Sequence, residues 1–320
     1  MANNRIVYWN GKMIPESEAR VSIYDSALMF GDTIFEMTRS FNKRHFKLRE
    51  HLERLERSAR YIDMPFPLSV DELIAAVDLV TEANEEHIGD TDEHRIMVNI
   101  TRGLLPIYAS SGVDVAPGPN IIIANYPLRW TVQSIGNLFD EGINVAIPSQ
   151  RAIPARLLEP KLKNRSRIHY LKANLEIGKM KGNNNWALLL DEDGFVTEGI
   201  GSNFFIVKDN TILTPEPRNI LRGVSRQYIF ELAQQLNIPI VEKNLEPYDV
   251  LNADEAFMTA TPFCMLPVTS FEDKSIGTGQ RGQMFDKLIN QWSENVGVNI
   301  ISQIQNWRVD GINPYDVGKK

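Results

Sequence analysis

The stretch at 188–207, LLLDEDGFVTEGIGSNFFIV, constrains the fold most, because its apolar runs have the composition of paired β-strands. The Asp-Glu-Asp-Gly segment at 191–194 has the composition of a turn between two of them. Glu198 stands beyond this turn, between a threonine and a glycine. It is either a solvated charge at a strand end or a carboxylate that rigid backbone directs at a cationic group.

The first 130 residues combine strand and helix signals and predict one α+β domain. The pairs at 10–11 and 42–43 have the composition of turns between strand-like runs. The segment at 49–64 places apolar residues at helical spacing between charges. A serine and a glutamate at 69 and 72 form a capping-box pattern that opens another helix.

The rest of the chain predicts a second domain of mixed strands and helices. We expect a first domain at 1–130, an interdomain linker at 131–146, a second domain at 147–298 and a C-terminal extension at 299–320. In the second domain the pattern predicts helices at about 167–181, 224–236 and 280–295, hairpins across 186–214, and strands near 240 and 255.

Composition and charge exclude several classes of protein. With 320 residues, of which 43% are hydrophobic, the chain is long enough for a core in each of two domains. Its net charge of -7 supplies no basic face for general nucleic-acid binding. The lone Cys264 excludes an internal disulfide framework, and the histidines lack metal-ligand spacing. Since the chain shows no apolar leader or membrane-spanning run, we expect a cytoplasmic protein.

The GTGQRG segment at 277–282 matches the dinucleotide pattern G-x-G-x-x-G in its letters. Only 38 residues follow Gly282, too few for the remaining strands of a nucleotide-binding half. The acidic residue expected about 20 positions further on is also missing. We therefore interpret the segment as a glycine-rich turn before a helix.

Three separated features together suit a phosphate group. A helix start offers unpaired N–H groups and the positive end of the helix dipole, and hydroxyl and guanidinium groups add further donors. Each feature alone also has an ordinary structural explanation, such as a simple N-cap at the helix start. The features are Gly223, Val224 and Ser225 at the helix start, the hydroxyls of Thr259 and Thr261, and the guanidinium of Arg54.

The ordered motifs of the chain resemble those of the class IV, or fold type IV, pyridoxal-phosphate aminotransferases. This family includes branched-chain and D-amino acid aminotransferases and aminodeoxychorismate lyase. The motifs are GDTIFE, HLERL, TRG, the segment around Lys163, GFVTEGIGSNFFIV, LRGVSRQYI and DEAFMTAT, and they span about residues 5–295. The resemblance implies two α/β domains with pyridoxal 5′-phosphate at the domain interface, and a homodimer whose partner contributes to each site.

The resemblance also gives Glu198 a role. A carboxylate beside the pyridine nitrogen of the cofactor raises the pKa of that nitrogen and keeps it protonated. The ring then accepts the electrons released when the substrate loses its Cα proton. The cofactor-binding set that the resemblance implies is Arg54, Glu198, Asn203, Gly223, Val224, Ser225 and Thr261.

Such an enzyme needs a lysine amine to hold the cofactor as a Schiff base and to move a proton. Aligned with the D-amino acid enzymes, the catalytic lysine is Lys163, thirteen residues before Glu176. The branched-chain spacing is one residue longer and falls on Leu162, which cannot do this chemistry. Lys161 is the alternative, whereas Lys172 belongs to the following helix.

The residues after this lysine depart from the family pattern. The resemblance places Arg167 where branched-chain enzymes carry a tyrosine for the ring hydroxyl, and Arg165 lies two residues before it. Tyr170 is expected about one helical turn further on. An arginine here either lowers the pKa of the lysine or binds an acidic substrate. Alternatively, it caps the helix or points to solvent.

Neither of the family's carboxylate sites is complete in this sequence. Phe35 stands where D-amino acid enzymes carry a tyrosine and predicts an apolar pocket wall. Arg102 is kept, but the histidine that follows it in the D-specific pattern is missing. Pro262 stands in the loop where branched-chain enzymes use backbone N–H groups, and proline has none. Arg39, Arg102 and Arg167 are therefore the cationic candidates for the substrate carboxylate.

The predicted activity is pyridoxal-phosphate-dependent transamination between an amino acid with an apolar side chain and a 2-keto acid. Two alternatives remain open from the sequence. One is a lyase of the aminodeoxychorismate type, which shares the cofactor apparatus but eliminates a product. The other is a degenerate homologue that binds the cofactor without turnover.

Overall fold

The computed structural model describes residues 4–110, 112, 118–182 and 184–309 of the chain. It divides into two compact units. The first contains the residues up to Trp130 together with Leu162–Arg167, and the second contains Thr131–Lys161 together with the residues from Ile168 onward. The short segment Leu162–Arg167 therefore returns to the first unit.

The first unit is a sheet covered by helices. Its described strands form an antiparallel sheet in the order β2-β1-β6-β5-β3-β4. Its elements are β1 (Ile6–Trp9), β2 (Lys12–Pro15), α1 (Ser26–Phe30), β3 (Thr33–Phe41), β4 (Arg44–His45), α2 (Leu48–Tyr61), α3 (Val70–Ala83), β5 (His94–Thr101), α4 (Pro106–Ala109) and β6 (Asn120–Pro127).

Local sequence signals explain how the elements of this unit begin and end. Asn10 and Gly11 both have positive φ, 48° and 88°, which confirms the predicted turn between β1 and β2. The turn at 42–43 is confirmed in the same way, with φ of 49° and 64°. The Ser69–Glu72 capping box is present at the start of α3. Helix α2 buries one apolar face, where Leu52 and Leu55 are fully buried.

The second unit holds a larger mixed sheet. Its described strands follow the order β12-β11-β10-β13-β14-β7-β8-β9, and β15 pairs with β14. Helix α5 (Arg129–Val132) contains the point where the chain passes from the first unit to the second. The following elements are α6 (Leu138–Glu141), β7 (Ile143–Ala146), α7 (Ile168–Ile177), β8 (Asn185–Leu190), β9 (Val196–Gly199), β10 (Asn203–Lys208), β11 (Thr211–Thr214), α8 (Val224–Gln235), β12 (Ile240–Glu242), α9 (Pro247–Leu251), β13 (Glu255–Ala260), β14 (Cys264–Phe271), β15 (Lys274–Ser275), α10 (Gln283–Val296) and α11 (Ile300–Asn306).

The segment at 131–146 is more regular than a linker pattern suggests. Besides α6 it contains β7, which is buried throughout and pairs in parallel with β14 and β8. The end of this segment thus belongs to the interior of the larger sheet.

The GTGQRG segment is a turn before α10, as predicted. Gly277 and Gly279 have φ of 53° and 71°, and Gly282 is the N-cap of α10. The carboxylate of Glu255 accepts hydrogen bonds from the N–H groups of Met284 and Phe285. A protein carboxylate therefore occupies the anion-binding end of this helix.

The C-terminal extension is described as far as residue 309, and its predicted remainder lies outside the described residues. Its first part forms α11, in which Ile300 and Ile304 are fully buried. Trp307 is also buried, and the N–H of Val309 donates to the carbonyl of Gln133 at 2.9 Å. This part of the extension packs into the second unit.

Candidate active site

Glu198 is a buried carboxylate fixed by the hairpin of β9 and β10. It lies directly opposite Asn203 in the antiparallel pairing and is 6% exposed. Its Oε2 accepts hydrogen bonds from the side-chain amide of Asn203 at 3.1 Å and from the N–H of Leu221 at 3.0 Å. The interpretation of Glu198 as a solvated strand-end charge is therefore wrong.

The other oxygen of Glu198 contacts a helix. The hydroxyl of Tyr170, in the first turn of α7, donates to Oε1 of Glu198 at 3.0 Å. Helical spacing located Tyr170 near the catalytic segment, but sequence gave no reason to pair it with a residue 28 positions away. The carboxylate is thus positioned through both of its oxygens.

The N-terminus of α8 carries an anion-binding arrangement. Gly223 is the N-cap, and no side chain caps this end of the helix. Ser225 is buried in the first turn, so its interpretation as a plain N-cap is wrong. A Cβ on residue 223 would lie 2.1 Å from Oδ1 of Asn203, which explains the glycine. The first N–H groups of α8 are consequently available to a bound anion.

The two predicted threonines lie near the end of β13 and in the turn that follows it. Thr259 is buried, and its Oγ1 has no hydrogen-bond partner among the described residues. Thr261 and Pro262 follow in the turn, and Thr261 is partly exposed. Cys264 begins β14 with φ of 64° and is fully buried.

In the first unit, Arg54 belongs to a buried ion cluster. Its Nε and Nη2 donate to the two oxygens of Glu36 at 2.6 and 2.8 Å, and Nδ1 of His51 lies 2.7 Å from the same carboxylate. Burial alone would raise the pKa of Glu36, but Arg54 and His51 hold it well below its usual range. Glu36 is thus ionised and fixes the guanidinium of Arg54.

Sequence reasoning missed Glu36 and His51. Both were present in the motifs GDTIFE and HLERL, and His51 and Arg54 share a helix face at i, i+3 spacing. That spacing was the available signal for a cluster on α2.

Lys163 lies on an extended segment that pairs with the start of β3. The N–H of Phe35 donates to the carbonyl of Lys163 at 3.0 Å, and the N–H of Arg165 donates to the carbonyl of Thr33 at 2.9 Å. The Nζ of Lys163 is 4.9 Å from the centroid of the Phe35 ring, which is itself buried. The lysine therefore projects from rigid, strand-like backbone.

Lys161 has a different environment. Its ammonium forms an ion pair with Glu159 and donates to the carbonyl of Arg218 at 3.0 Å. These contacts lie in the second unit. An ion pair and a hydrogen bond of this kind are typical of a lysine with a structural role.

The cationic candidates for the substrate differ in their contacts. Arg102 donates to Asp32 at 2.6 Å and to the carbonyls of Asp63 and Ile62 at 2.8 and 2.9 Å. Arg39 is buried, with its guanidinium 3.8 Å from the ring centroid of Phe41. In contrast, Arg167 lies over Phe35, at 5.8 Å from the ring centroid.

Comparison with known proteins identifies the class that this fold and site define. The family model for class IV amino-transferases matches residues 33–271. The chain belongs to the class IV aminotransferases, which are enzymes that transfer amino groups with pyridoxal phosphate.

Individual relatives include enzymes for branched-chain and D-amino acids. The chain is 32% identical to a putative branched-chain-amino-acid aminotransferase of Methanocaldococcus jannaschii, over 90% of this chain and 95% of that protein. It is 28% identical to a D-alanine aminotransferase of Bacillus licheniformis, over 87% and 92% of the two chains. The crystal structure of the Escherichia coli branched-chain amino acid aminotransferase matches with a TM-score of 0.79, at 27% identity over 91% and 94%.

The donor set of the chain fits pyridoxal phosphate. A helix N-terminus without a side-chain cap, a buried hydroxyl at Thr259 without a partner in the described residues, and the buried carboxylate of Glu198 match a phosphate and a protonated ring nitrogen. In the described part of the chain, no helix has the length and apolar character to cross a membrane.

Proposed function

We propose that the enzyme transfers the amino group of an amino acid with an apolar side chain to a 2-keto acid, with pyridoxal phosphate attached to Lys163. The observation that carries this proposal is the strand-like placement of Lys163, whose amine lies beside the buried ring of Phe35. Relatives named as branched-chain aminotransferases support an apolar substrate, as does the apolar surface of Phe35.

Lys163 has two tasks in this reaction. Its amine would hold the cofactor covalently and, once the substrate amine has replaced it there, would move a proton from the substrate Cα to the cofactor. Backbone hydrogen bonds at the carbonyl of Lys163 and at the N–H of Arg165 fix the backbone from which this side chain projects, which limits the region that its amine can reach.

Glu198 holds a proton at the ring nitrogen of the cofactor in this proposal. When bound, the cofactor supplies an electron-accepting ring, and it does so best when that nitrogen is protonated. Hydrogen bonds from Asn203, Leu221 and Tyr170 keep the carboxylate in position. Burial strengthens the attraction between this carboxylate and a cationic nitrogen.

We assign the phosphate group to the N–H groups of Val224 and Ser225, the hydroxyl of Thr261 and the guanidinium of Arg54. The uncapped start of α8 supports the first part of this assignment. For Arg54, the carboxylate of Glu36 fixes the direction of the guanidinium.

We further propose a homodimer. Five exposed apolar residues of the first unit, here named the apolar patch, support it, since exposed apolar surface is typical of interaction sites. They are Ile23, Tyr24, Leu28, Phe30 and Ile107, and the ring of Tyr24 contacts that of Tyr108, the neighbour of Ile107. Leu28 and Phe30 are each 67% exposed. A cytoplasmic location stays a prediction, which fractionation of expressing cells would test.

Borohydride reduction after incubation with pyridoxal phosphate, followed by peptide mass spectrometry, tests the assignment of the lysine. We expect an adduct at Lys163, no adduct in Lys163→Ala, and an unchanged adduct in the control Lys161→Met. A specific adduct at Lys161 would contradict the assignment. No specific adduct would contradict the proposed chemistry as a whole.

A half-reaction measurement tests the transfer itself. We expect an amino donor such as leucine to convert the bound cofactor to its pyridoxamine form, and a keto acid to reverse that change. Release of pyruvate without a keto acceptor would instead indicate elimination.

A further inference from the structure

Arg165 is an arginine held in place by neutral groups. Its Nε and Nη2 donate to Oδ1 of Asn99 at 3.1 and 3.0 Å, and Nη2 lies 3.2 Å from the sulfur of Met97. Its guanidinium carbon is 3.6 Å from the centroid of the Phe35 ring. The guanidinium is thus fixed by an amide and an aromatic face.

The second edge of this guanidinium has no protein acceptor in the described residues. The bonds of Arg165 use Nε and Nη2, and none involves Nη1. Part of the side chain remains accessible to solvent. An arginine anchored through Nε and Nη2 can bind a carboxylate through Nη1 while it keeps its hydrogen bonds to the amide.

The charges around Arg165 are also positive. Burial, the charge of Arg167 and, to a smaller degree, the charge of Arg95 together lower the pKa of Arg165 to about 10, against an opposite effect of Tyr126. Arg95 lies along the same sheet face, is 4% exposed, and its Nε has no hydrogen-bond partner among the described residues. A bound anion would relieve this concentration of positive charge.

Arg165 and the proposed catalytic lysine contact the same aromatic ring. The Nζ of Lys163 is 4.9 Å and the Cζ of Arg165 is 3.6 Å from the centroid of Phe35. The two cations are therefore no further apart than the sum of these distances. An amino acid carries its amine and its carboxylate within such a span.

We propose that Arg165, anchored by Asn99 and stacked on Phe35, binds a carboxylate of the amino-acid substrate. This inference rests on the proposed function, because it takes Lys163 as the reacting amine. Arg102 is a weaker candidate, since Asp32 and two carbonyls already occupy its guanidinium. Asn99 acts as a positioning residue that directs the available edge of Arg165.

Two carboxylates could be the ligand: the α-carboxylate, or a side-chain carboxylate of a dicarboxylic substrate. Non-reactive analogues separate them. Butyrate carries one carboxylate, and glutarate carries two. Their dissociation constants, measured by calorimetry on the cofactor-loaded enzyme, do not depend on turnover.

We expect Arg165→Gln to weaken binding by about tenfold or more, the loss typical of a charge-assisted hydrogen bond. Weaker binding of both analogues assigns Arg165 to the α-carboxylate, and weaker binding of glutarate alone assigns it to a side-chain carboxylate. Arg165→Lys should lower the affinity less, because lysine keeps the positive charge but lacks the planar guanidinium. Asn99→Ala should lower the affinity about threefold, because Arg165 remains but its guanidinium is no longer held in one orientation.

The matched control is Arg60→Gln, which removes an exposed arginine at the end of α2 and should leave both dissociation constants unchanged. Unchanged affinities in a folded Arg165→Gln enzyme, or no binding by the wild type, would overturn the inference. If the wild type shows no amino-donor half-reaction but binds the analogues in a way that depends on Arg165, the proposed function would be overturned instead.

Discussion

The hydroxyl of Tyr170 donates to Oε1 of Glu198 at 3.0 Å, which joins α7 to the hairpin of β9 and β10 within the second unit. Glu198 keeps two further donors on its other oxygen, Asn203 and Leu221. The tyrosine therefore orients the carboxylate without being its sole support. A change at Tyr170 therefore affects the position of the carboxylate, whereas a change at Glu198 removes its charge.

Removing the hydroxyl should have a moderate effect on catalysis. We expect Tyr170→Phe to slow the amino-donor half-reaction by about tenfold, the loss typical of one hydrogen bond to a charged group. Glu198→Gln should slow it by about 100-fold or more, because it removes the negative charge itself. Stopped-flow absorbance of the bound cofactor measures both rates, and equal losses in the two variants would contradict this division of roles.

Gly223→Ala should weaken cofactor binding. A Cβ at this position would lie 2.1 Å from Oδ1 of Asn203, so the asparagine must move away from Glu198 and the start of α8 must shift. We expect the dissociation constant for pyridoxal phosphate to rise at least about tenfold, with a loss of about 1–3 kcal/mol in unfolding free energy. Gly89→Ala is the control, since nothing lies within 4 Å of its Cβ position. Wild-type affinity in Gly223→Ala would show that this helix start does not bind the cofactor.

The Arg54–Glu36 pair allows stability and cofactor binding to be separated. Arg54→Met should lower the unfolding free energy of the cofactor-free protein by about 3–5 kcal/mol, because it leaves the buried charge of Glu36 without its main partner. Adding Glu36→Gln should restore most of that loss while cofactor affinity stays low. Urea unfolding and titration with pyridoxal phosphate measure the two quantities. Recovery of cofactor affinity in the double variant would exclude Arg54 from the phosphate site.

His45 should make the fold sensitive to acid. Burial, together with the charge of neighbouring His94, lowers the pKa of His45 to about 4. In unfolded protein the same group binds a proton below about pH 6.5. As the pH falls, the unfolded state therefore binds this proton at a higher pH than the folded state does. The free energy of unfolding decreases between about pH 6.5 and pH 4, by at most about 3 kcal/mol from this group.

His45→Gln should flatten this pH dependence. Chemical unfolding at pH 7 and pH 4.5 measures it, and His87→Gln, which changes a partly exposed histidine, is the control. A variant with the same loss of stability between these pH values as the wild type would exclude His45 as a source of the effect.

The apolar patch provides a test of the dimer. Leu28→Glu combined with Phe30→Glu should convert the dimer to monomer, because it places two charges in a surface that association would bury. Light scattering measures the molar mass. Leu79→Glu, at a 53% exposed position of α3, is the control and should leave the mass unchanged. A dimer that persists in the double variant would locate the interface elsewhere.

Much of the local structure was predictable because its causes lie within a few residues. The turn at 10–11 follows from Asn-Gly, the start of α3 follows from its capping box, and the turn before α10 follows from its glycines. The hairpin that carries Glu198 was visible in the same way, as was the helix start at 223–225. These signals also carried the family resemblance, which the family model confirms.

The sequence by itself determined many of the elements, the class of enzyme and a short set of candidate residues. Only the tertiary structure decided which side chains meet: Arg54 with Glu36 across 18 positions, Tyr170 with Glu198 across 28, and Arg165 with Asn99 across 66. Local patterns fix backbone conformation through hydrogen bonds and sterics between near neighbours. Contacts between distant residues depend on strand order and on helix packing against the sheet, and short-range patterns do not encode these.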